Sequence, residues 1–166
     1  MIKEIGGIFL IRVLEEKDVD TVAKIWLETN IKAHDFIISN YWKEHYEIIK
    51  DMFLQAEIYV YEIEKEIMGF IGLDKEYIEG IFVLDQYQKR GIGKALLNHV
   101  KARKEHLSLN VYHKNLNAIL FYQREGFVFN MRMLIKILVK KNIGWFGINS
   151  VQIYKMKEIY YNIHAF

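Results

Sequence analysis

A pair of glycines, Gly91 and Gly93, lies in a basic turn where a predicted strand ends and a predicted helix begins. At a helix start, several backbone N–H groups have no internal partner and the helix dipole is positive. Because glycine lets the backbone approach a ligand closely, such a turn can bind a pyrophosphate. Lys89, Arg90 and Lys94 add positive charge for further phosphates. The turn therefore predicts a binding site for a phosphate-bearing ligand.

Two other kinds of phosphate loop do not fit this turn. A Walker loop needs Ser or Thr after Gly-Lys, but Ala95 follows Lys94, so no hydroxyl is available for a magnesium ion. A dinucleotide fingerprint needs a third glycine, and Leu96 occupies that position. Two glycines at a helix start also occur in ordinary turns, so the glycines alone do not distinguish a phosphate site from a plain turn, and the surrounding residues are needed.

A second spaced pattern follows the next predicted strand. It reads Asn-x-x-Ala-x-x-x-Tyr-x-x-x-Gly-Phe, and its members are Asn115, Ala118, Tyr122, Gly126 and Phe127. The glycine turn reads Gln/Arg-x-x-Gly-x-Gly/Ala, and its members are Gln88, Lys89, Arg90, Gly91, Ile92 and Gly93. Together, in this order, the two patterns resemble the motifs of the GNAT superfamily of N-acetyltransferases.

The resemblance covers about residues 9–128 of a chain that we expect to form one domain over 1–166, with a divergent hairpin and tail at 129–166. It implies transfer of an acetyl group from acetyl-coenzyme A to a primary amine, by direct attack in a ternary complex. The amine would be a protein lysine, a protein N-terminus or a small molecule. The segment from Trp26 to Trp42, together with the segment from Asn110 to Asn115, is further similar to the small bacterial YiaC/YjaB-type branch.

The resemblance also implies which residues bind the coenzyme. In the family, the strand before the turn pairs with the pantetheine arm through its main chain, and its last amide donates to the thioester carbonyl; here that amide belongs to Val83. The implied coenzyme-binding residues are Ile81, Phe82, Val83, Gln88, Lys89, Arg90, Gly91, Ile92, Gly93, Lys94, Ala95, Asn115, Ala118 and Tyr122.

Catalysis requires a neutral acceptor amine and a protonated leaving thiol, so the resemblance implies an acid and a base. Tyr122 matches the general acid of the family, since a phenol with a pKa of about 10 can donate at neutral pH. Many relatives carry a glutamate that acts as the general base where this chain has Asn110. The side-chain amide of Asn110 can only hold a water or the substrate. Glu79 is the leading substitute and His34 another candidate. A core role for Tyr122 and a plain exposed charge at Glu79 stay open.

The resemblance implies an acceptor site built by the first two helices, the loop between them and the last hairpin, here about residues 28–42 and 130–150. The predicted substrate-binding residues are His34, Asp35, Phe36 and Trp42. Asp35 and Glu28 can attract a cationic amine, whereas the aromatic residues also fit a core.

The pattern of apolar residues predicts the elements that carry these sites. Strands are predicted at 8–13, 57–63, 67–73, 77–84, 107–112, 127–138 and 149–156, and helices at about 19–30, 41–55, 91–104 and 116–125. Asp18 can cap the first helix, Ser39 or Asn40 the second and Asn115 the last. The order β-α-α-β-β-β-α-β-α-β-β predicts an α/β fold with a mixed, mostly antiparallel central sheet flanked by helices.

Composition limits the remaining possibilities. There is no cysteine, which excludes disulfides, thiolate metal sites and a cysteine nucleophile, and no metal site is predicted. Residues 1–75 hold 9 basic and 15 acidic residues, whereas residues 76–166 hold 14 and 6. The basic second half fits an anionic coenzyme, and without a nucleic-acid motif we expect no nucleic-acid partner.

No apolar stretch approaches the roughly 20 residues of a membrane span, and the N-terminus is a poor signal peptide. We therefore expect a cytoplasmic protein with no membrane partner. The apolar tail at 160–166 fits either a homodimer contact or the core of a monomer. A non-catalytic acyl-coenzyme A-binding regulator on the same fold is the alternative function.

Overall fold

The computed structural model describes residues 9–129 and 150–155. The chain divides into two compact units, Met1–Glu105 and His106–Phe166. A single domain over 1–166 stays a prediction, and the predicted strand segment 130–138, like the apolar tail, lies outside the described residues. No helix in the described ranges is both long and apolar enough to cross a bilayer.

The first unit contains a four-stranded antiparallel sheet. Its strands, in spatial order, are β1 (Phe9–Val13), β2 (Glu57–Ile63), β3 (Glu66–Asp74) and β4 (Tyr77–Val83). The antiparallel pairing predicted from the short connections is confirmed. Glu64 and Lys65 turn the β2–β3 hairpin with φ angles of 50° and 70°, since two-residue hairpin loops favour positive φ at both positions.

The helices of the first unit are α1 (Val19–Ala33), α2 (Ser39–Glu44), α3 (Tyr46–Phe53) and α4 (Ile92–Lys101). The single helix predicted at 41–55 is wrong: two helices meet at His45. The Nδ1 atom of His45 lies 2.7 Å from the carbonyl oxygen of Tyr41, where it competes with the regular helical bond. The N-cap residue of α2 is Ile38, and no side chain caps this helix. The prediction that Ser39 or Asn40 caps it is therefore wrong.

Asp18 precedes α1, but its predicted side-chain cap is also wrong. The carboxylate accepts hydrogen bonds from the guanidinium of Arg12, at 2.5 Å and 3.1 Å, and from the amide of Glu15. Arg12 also donates to Glu62 of β2, with 2.8 Å between Nε and Oε2. This partly buried ion triad ties β1 and β2 to the start of α1.

The core of the first unit lies between α1 and the sheet. Val22, Ala23 and Trp26 of the predicted α1 stripe are at most 7% exposed. Trp26 meets the ring of Trp42 edge-on at 5.7 Å, and Phe70 of β3 lies in the same core cluster. Burial of these large apolar side chains fixes α1 against β3 and β4.

The second unit holds β5 (Ser108–Tyr112), α5 (Leu116–Arg124), β6 (Phe127–Phe129) and β7 (Ser150–Lys155). Strand β7 pairs antiparallel with both β5 and β6. The predicted cap of α5 is confirmed, because the side chain of Asn115 accepts a bond from the amide of Ala118 at 3.2 Å. Gly126 follows the helix with a φ of 87°, as expected for a terminating glycine.

Candidate active site

The end of β4 is held very close to β3. Val83 pairs with Gly69, and a Cβ atom on Gly69 would lie only 2.6 Å from the carbonyl oxygen of Phe82. The pairing continues past the strand, since the amide of Leu84 donates to the carbonyl of Met68 at 3.0 Å. This close approach requires glycine at position 69 and fixes the main chain of the predicted pantetheine strand.

The side chain of Phe82 is partly buried and packs against the core. Its ring stacks on Phe70 at a centroid distance of 4.7 Å and packs against the core cluster beneath α1. The ring also lies over Gly80, where a Cβ atom would come within 2.4 Å of it. Glycine at position 80 therefore makes room for the aromatic ring two residues further along the strand.

A β-bulge in β4 places Glu79. Gly72 pairs with Gly80 but Leu73 pairs with Ile78, so Glu79 is the extra residue of β4. Bulges often redirect a side chain next to a functional site. Partial burial and, secondarily, the charge of Asp74 raise the pKa of Glu79 above the ordinary 4.5, although the residue as a whole is exposed. A raised pKa makes this carboxylate a better proton acceptor near neutral pH.

The glycine turn begins after a short 3-10 turn, Asp85–Tyr87. The side-chain amide of Gln88 donates back to the carbonyl of Val83 at 3.0 Å, which closes the loop. Lys89 and Gly91 both have positive φ, at 60° and 89°. No atom lies within 4 Å of the position of a Cβ on Gly91, so this side of the turn is open space.

Helix α4 starts directly on that open turn. Its first internal bond runs from the amide of Ala95 to the carbonyl of Gly91 at 2.9 Å, so the amides of Ile92 and Gly93 precede the regular ladder. Ile92 is 2% exposed and anchors the first turn in the core. Lys89 and Arg90 are exposed beside it. The open space at Gly91, the amides at the start of α4 and the positive charges of Lys89 and Arg90 together fit a diphosphate.

In the second unit, Tyr122 is 5% exposed and packs edge-on between Phe121 and Phe127, at centroid distances of 5.1 Å and 5.5 Å. Packing on both sides holds its ring in one orientation. Asn110 is exposed on β5 at the register position of Gln152 in β7. Ala118 lies in the first turn of α5, where the Asn115 cap holds its amide.

The structure brings three predicted acceptor residues together. The ring of His34 lies 5.6 Å from that of Phe36 and 5.3 Å from that of Trp42, while Asp35 is exposed next to them. Burial lowers the pKa of His34, which favours the neutral form of the imidazole. Trp42 is 6% exposed and is part of the core cluster, as one of the two sequence interpretations allowed.

The bulge at Glu79 and the Gln88–Val83 bond were not predicted. The available signal for the bulge was Gly80, because glycine inside a strand often marks one. No local signal identifies the side-chain bond of Gln88, since a glutamine at a turn has many other partners.

Comparisons with known proteins bear on the family and the fold of this chain. Residues 55–129 match the acetyltransferase (GNAT) domain family. The peptidyl-lysine N-acetyltransferase YiaC of Escherichia coli strain K12 is 36% identical over 120 residues, which are 71% of this chain and 82% of YiaC.

Solved structures share the fold at lower identity. The solution structure of apo-form YjaB from Escherichia coli has a TM-score of 0.69 and 20% identity, covering 89% of this chain and 95% of YjaB. The crystal structure of the PaiA N-acetyltransferase from Thermoplasma acidophilum in complex with coenzyme A has a TM-score of 0.70 and 16% identity, covering 89% and 98%. The predicted α/β fold class, with a mixed, mostly antiparallel sheet and flanking helices, is confirmed. Because YiaC is 36% identical to this chain over most of both proteins, the chain belongs to the GNAT family, whose enzymes use acetyl-coenzyme A, and it is an N-acetyltransferase.

Proposed function

We propose that this enzyme acetylates the ε-amino group of lysine in a peptide or protein. The observation that carries the acceptor class is the 36% identity to a peptidyl-lysine N-acetyltransferase over 82% of that relative. The exposed carboxylate of Asp35, beside the rings of His34 and Phe36, supports it because it can attract a lysine ammonium group.

The glycine turn would hold the coenzyme diphosphate. The amides of Ile92 and Gly93 and the open space at Gly91 fit its oxygens, and Lys89 and Arg90 add charge. The main chain of β4 from Ile81 to Val83 would bind the pantetheine arm, since the Phe82 ring is occupied by the core. Acetyl-coenzyme A supplies the thioester whose acetyl group is transferred.

Glu79 would accept the proton of the lysine, directly or through a water. Two observations support this role: the bulge that sets Glu79 apart from the β4 ladder and the raised pKa of its carboxylate. Asn110 would hold a water or the substrate, as its amide cannot accept a proton at neutral pH.

Tyr122 would protonate the leaving thiolate. Its support is the motif spacing from Asn115 and a ring fixed between Phe121 and Phe127. The amide of Val83 would stabilise the charge that develops on the thioester oxygen, as main-chain donors do in oxyanion sites.

An acetyl-transfer assay tests the proposal. The purified protein is incubated with acetyl-coenzyme A and one acceptor at a time. The acceptors are lysine peptides, peptides whose only amine is the free N-terminus, and polyamines. Mass spectrometry should locate the added acetyl group on the lysine side chain. Transfer only to N-terminal amines or polyamines would contradict a peptidyl-lysine acceptor.

A further inference from the structure

A groove separate from the coenzyme turn lies between α1 and the end of β4. It has a volume of about 270 Å³. Its floor is apolar and consists of Ile25, Ile67 and Leu84. Ile25 and Ile67 are at most 8% exposed, so two of the three floor residues belong to the buried core. A bound apolar group would therefore meet a preformed surface.

The rim of this groove, which we name the α1 groove, is polar and has no net charge. Lys24 and Glu28 lie on it and face each other at 3.9 Å, so their charges largely cancel. Thr21 and Gln86 supply a hydroxyl and an amide, and both groups can donate and accept hydrogen bonds. This combination suits a neutral ligand that carries donors and acceptors of its own, as a peptide main chain does.

The size of the α1 groove decides what fits it. Its volume is just below the roughly 300–1,000 Å³ of sites for whole small molecules. It is too small for a coenzyme but holds one bulky aliphatic side chain with its adjoining amide.

The position of the α1 groove connects it to the proposed reaction. Leu84 of its floor directly follows Val83, whose amide is the proposed donor to the thioester, and their Cα atoms are about 3.8 Å apart. The groove therefore adjoins the end of β4, where the thioester is proposed to bind. A peptide that presents its lysine at that end can place a neighbouring residue in the groove.

We infer that the α1 groove binds a leucine, isoleucine or methionine side chain of the substrate, close to the lysine that is acetylated. The inference rests on the proposed peptidyl-lysine acceptor and adds a sequence preference to it. Thr21 and Gln86 bind the main chain of that apolar residue, and Ile25, Ile67 and Leu84 bind its side chain.

Matched peptides test the inference. Each contains one lysine, with leucine or serine at one of the three positions on either side. We expect leucine at one position to raise kcat/KM by about tenfold or more over serine, as burial of an aliphatic side chain would. Equal kcat/KM at all six positions would overturn the inference while leaving lysine acetylation intact. If no lysine peptide is acetylated, the proposed function fails and the inference fails with it.

Variants that fill the α1 groove test whether the groove causes the preference for leucine. Thr21→Trp and Gln86→Trp fill the α1 groove from opposite walls, and both residues are exposed, so either substitution should fold. In both variants leucine and serine peptides should become equal, with acetyl-coenzyme A binding unchanged. Asp20→Trp, on the exposed side of α1 next to Thr21, is the matched control and should keep the leucine preference. A preference that survives in both folded occluding variants would overturn the assignment.

Discussion

The side-chain amide of Gln88 donates a hydrogen bond to the main-chain carbonyl of Val83, with 3.0 Å between Nε2 and the oxygen. Val83 ends β4 and Gln88 opens the glycine turn, so this bond joins the strand and the turn across five residues. It sets the turn relative to the main chain that is proposed to bind the thioester.

Replacement of Gln88 by alanine should weaken acetyl-coenzyme A binding about two- to tenfold, the range expected for one hydrogen bond of about 0.5–1.5 kcal/mol. The loss follows because the turn is no longer tied to the end of β4. Isothermal titration calorimetry gives the Kd. Gln86→Ala, three residues after Val83 but without this bond, should bind the coenzyme like the wild type. The same Kd in Gln88→Ala and wild type would show that the turn keeps its shape unaided.

Gly91 and Gly126 form a matched pair, because both have positive φ, at 89° and 87°, and both have open space at the Cβ position. Substitution by alanine at either site should lower the free energy of unfolding by about 1–2 kcal/mol, the cost of a left-handed alanine. Only Gly91→Ala should also weaken acetyl-coenzyme A binding, since only Gly91 lies in the proposed diphosphate turn. Urea unfolding and calorimetry measure the two effects. Equal coenzyme affinity in the two variants would argue against the turn as the binding site.

Glu79 should set the acidic limb of the pH–rate profile. It must lose its proton to act as a base, and its pKa is raised, so kcat/KM should rise with pH through a value above the ordinary 4.5. Glu79→Gln should lower kcat about 10²–10⁴-fold and remove that limb.

Asp74→Asn is the control for Glu79. It removes the charge that helps to raise the pKa of Glu79, so the acidic limb should move to lower pH with kcat retained. A profile that is unchanged in both variants would exclude Glu79 as the base.

Tyr122→Phe should lower kcat about 10²–10⁴-fold with little change in KM for acetyl-coenzyme A. Phenylalanine keeps the packing between Phe121 and Phe127, so the fold and the coenzyme site should be retained. Steady-state kinetics and a thermal melt separate chemistry from stability. Unchanged turnover would remove Tyr122 from the role of acid.

The Arg12–Asp18 pair should make stability depend on acid pH. The hydrogen bonds from Arg12 lower the pKa of Asp18 below its ordinary 3.8, so the stabilisation is complete above that value. It is lost as pH falls through the lower pKa of the folded state. Asp18→Asn should lower the free energy of unfolding at pH 7 by about 1.5–3 kcal/mol, because the partly buried guanidinium of Arg12 loses a charged hydrogen-bond partner.

Asp20→Asn is the control for Asp18, two residues away. Asp20 is exposed and pairs with Lys50, so its loss should change the unfolding free energy by less than about 1 kcal/mol. Urea unfolding at pH 7 and pH 3 measures both variants. The difference between wild type and Asp18→Asn should shrink at pH 3; a constant difference would contradict the linkage.

Short-range features could be predicted from the sequence. The antiparallel strands between 57 and 83 follow from alternation and from connections of two or three residues. The Asn115 cap and the terminating Gly126 depend only on residues within one or two turns of α5. The glycine turn and the second motif lie in local segments for the same reason, so the family was identifiable before the fold.

The tertiary structure decided the features that depend on residues far apart in the chain. Asp18 could cap α1 by its sequence position, yet Arg12, which Glu62 of β2 holds from 50 residues away, binds its carboxylate instead. The bulge at Glu79 exists only because β3 fixes the register on both sides of it. Local sequence determined the two motifs and the residues proposed for the chemistry, whereas strand pairing and burial decided their partners and orientation, since those energies arise between segments that meet only in the folded chain.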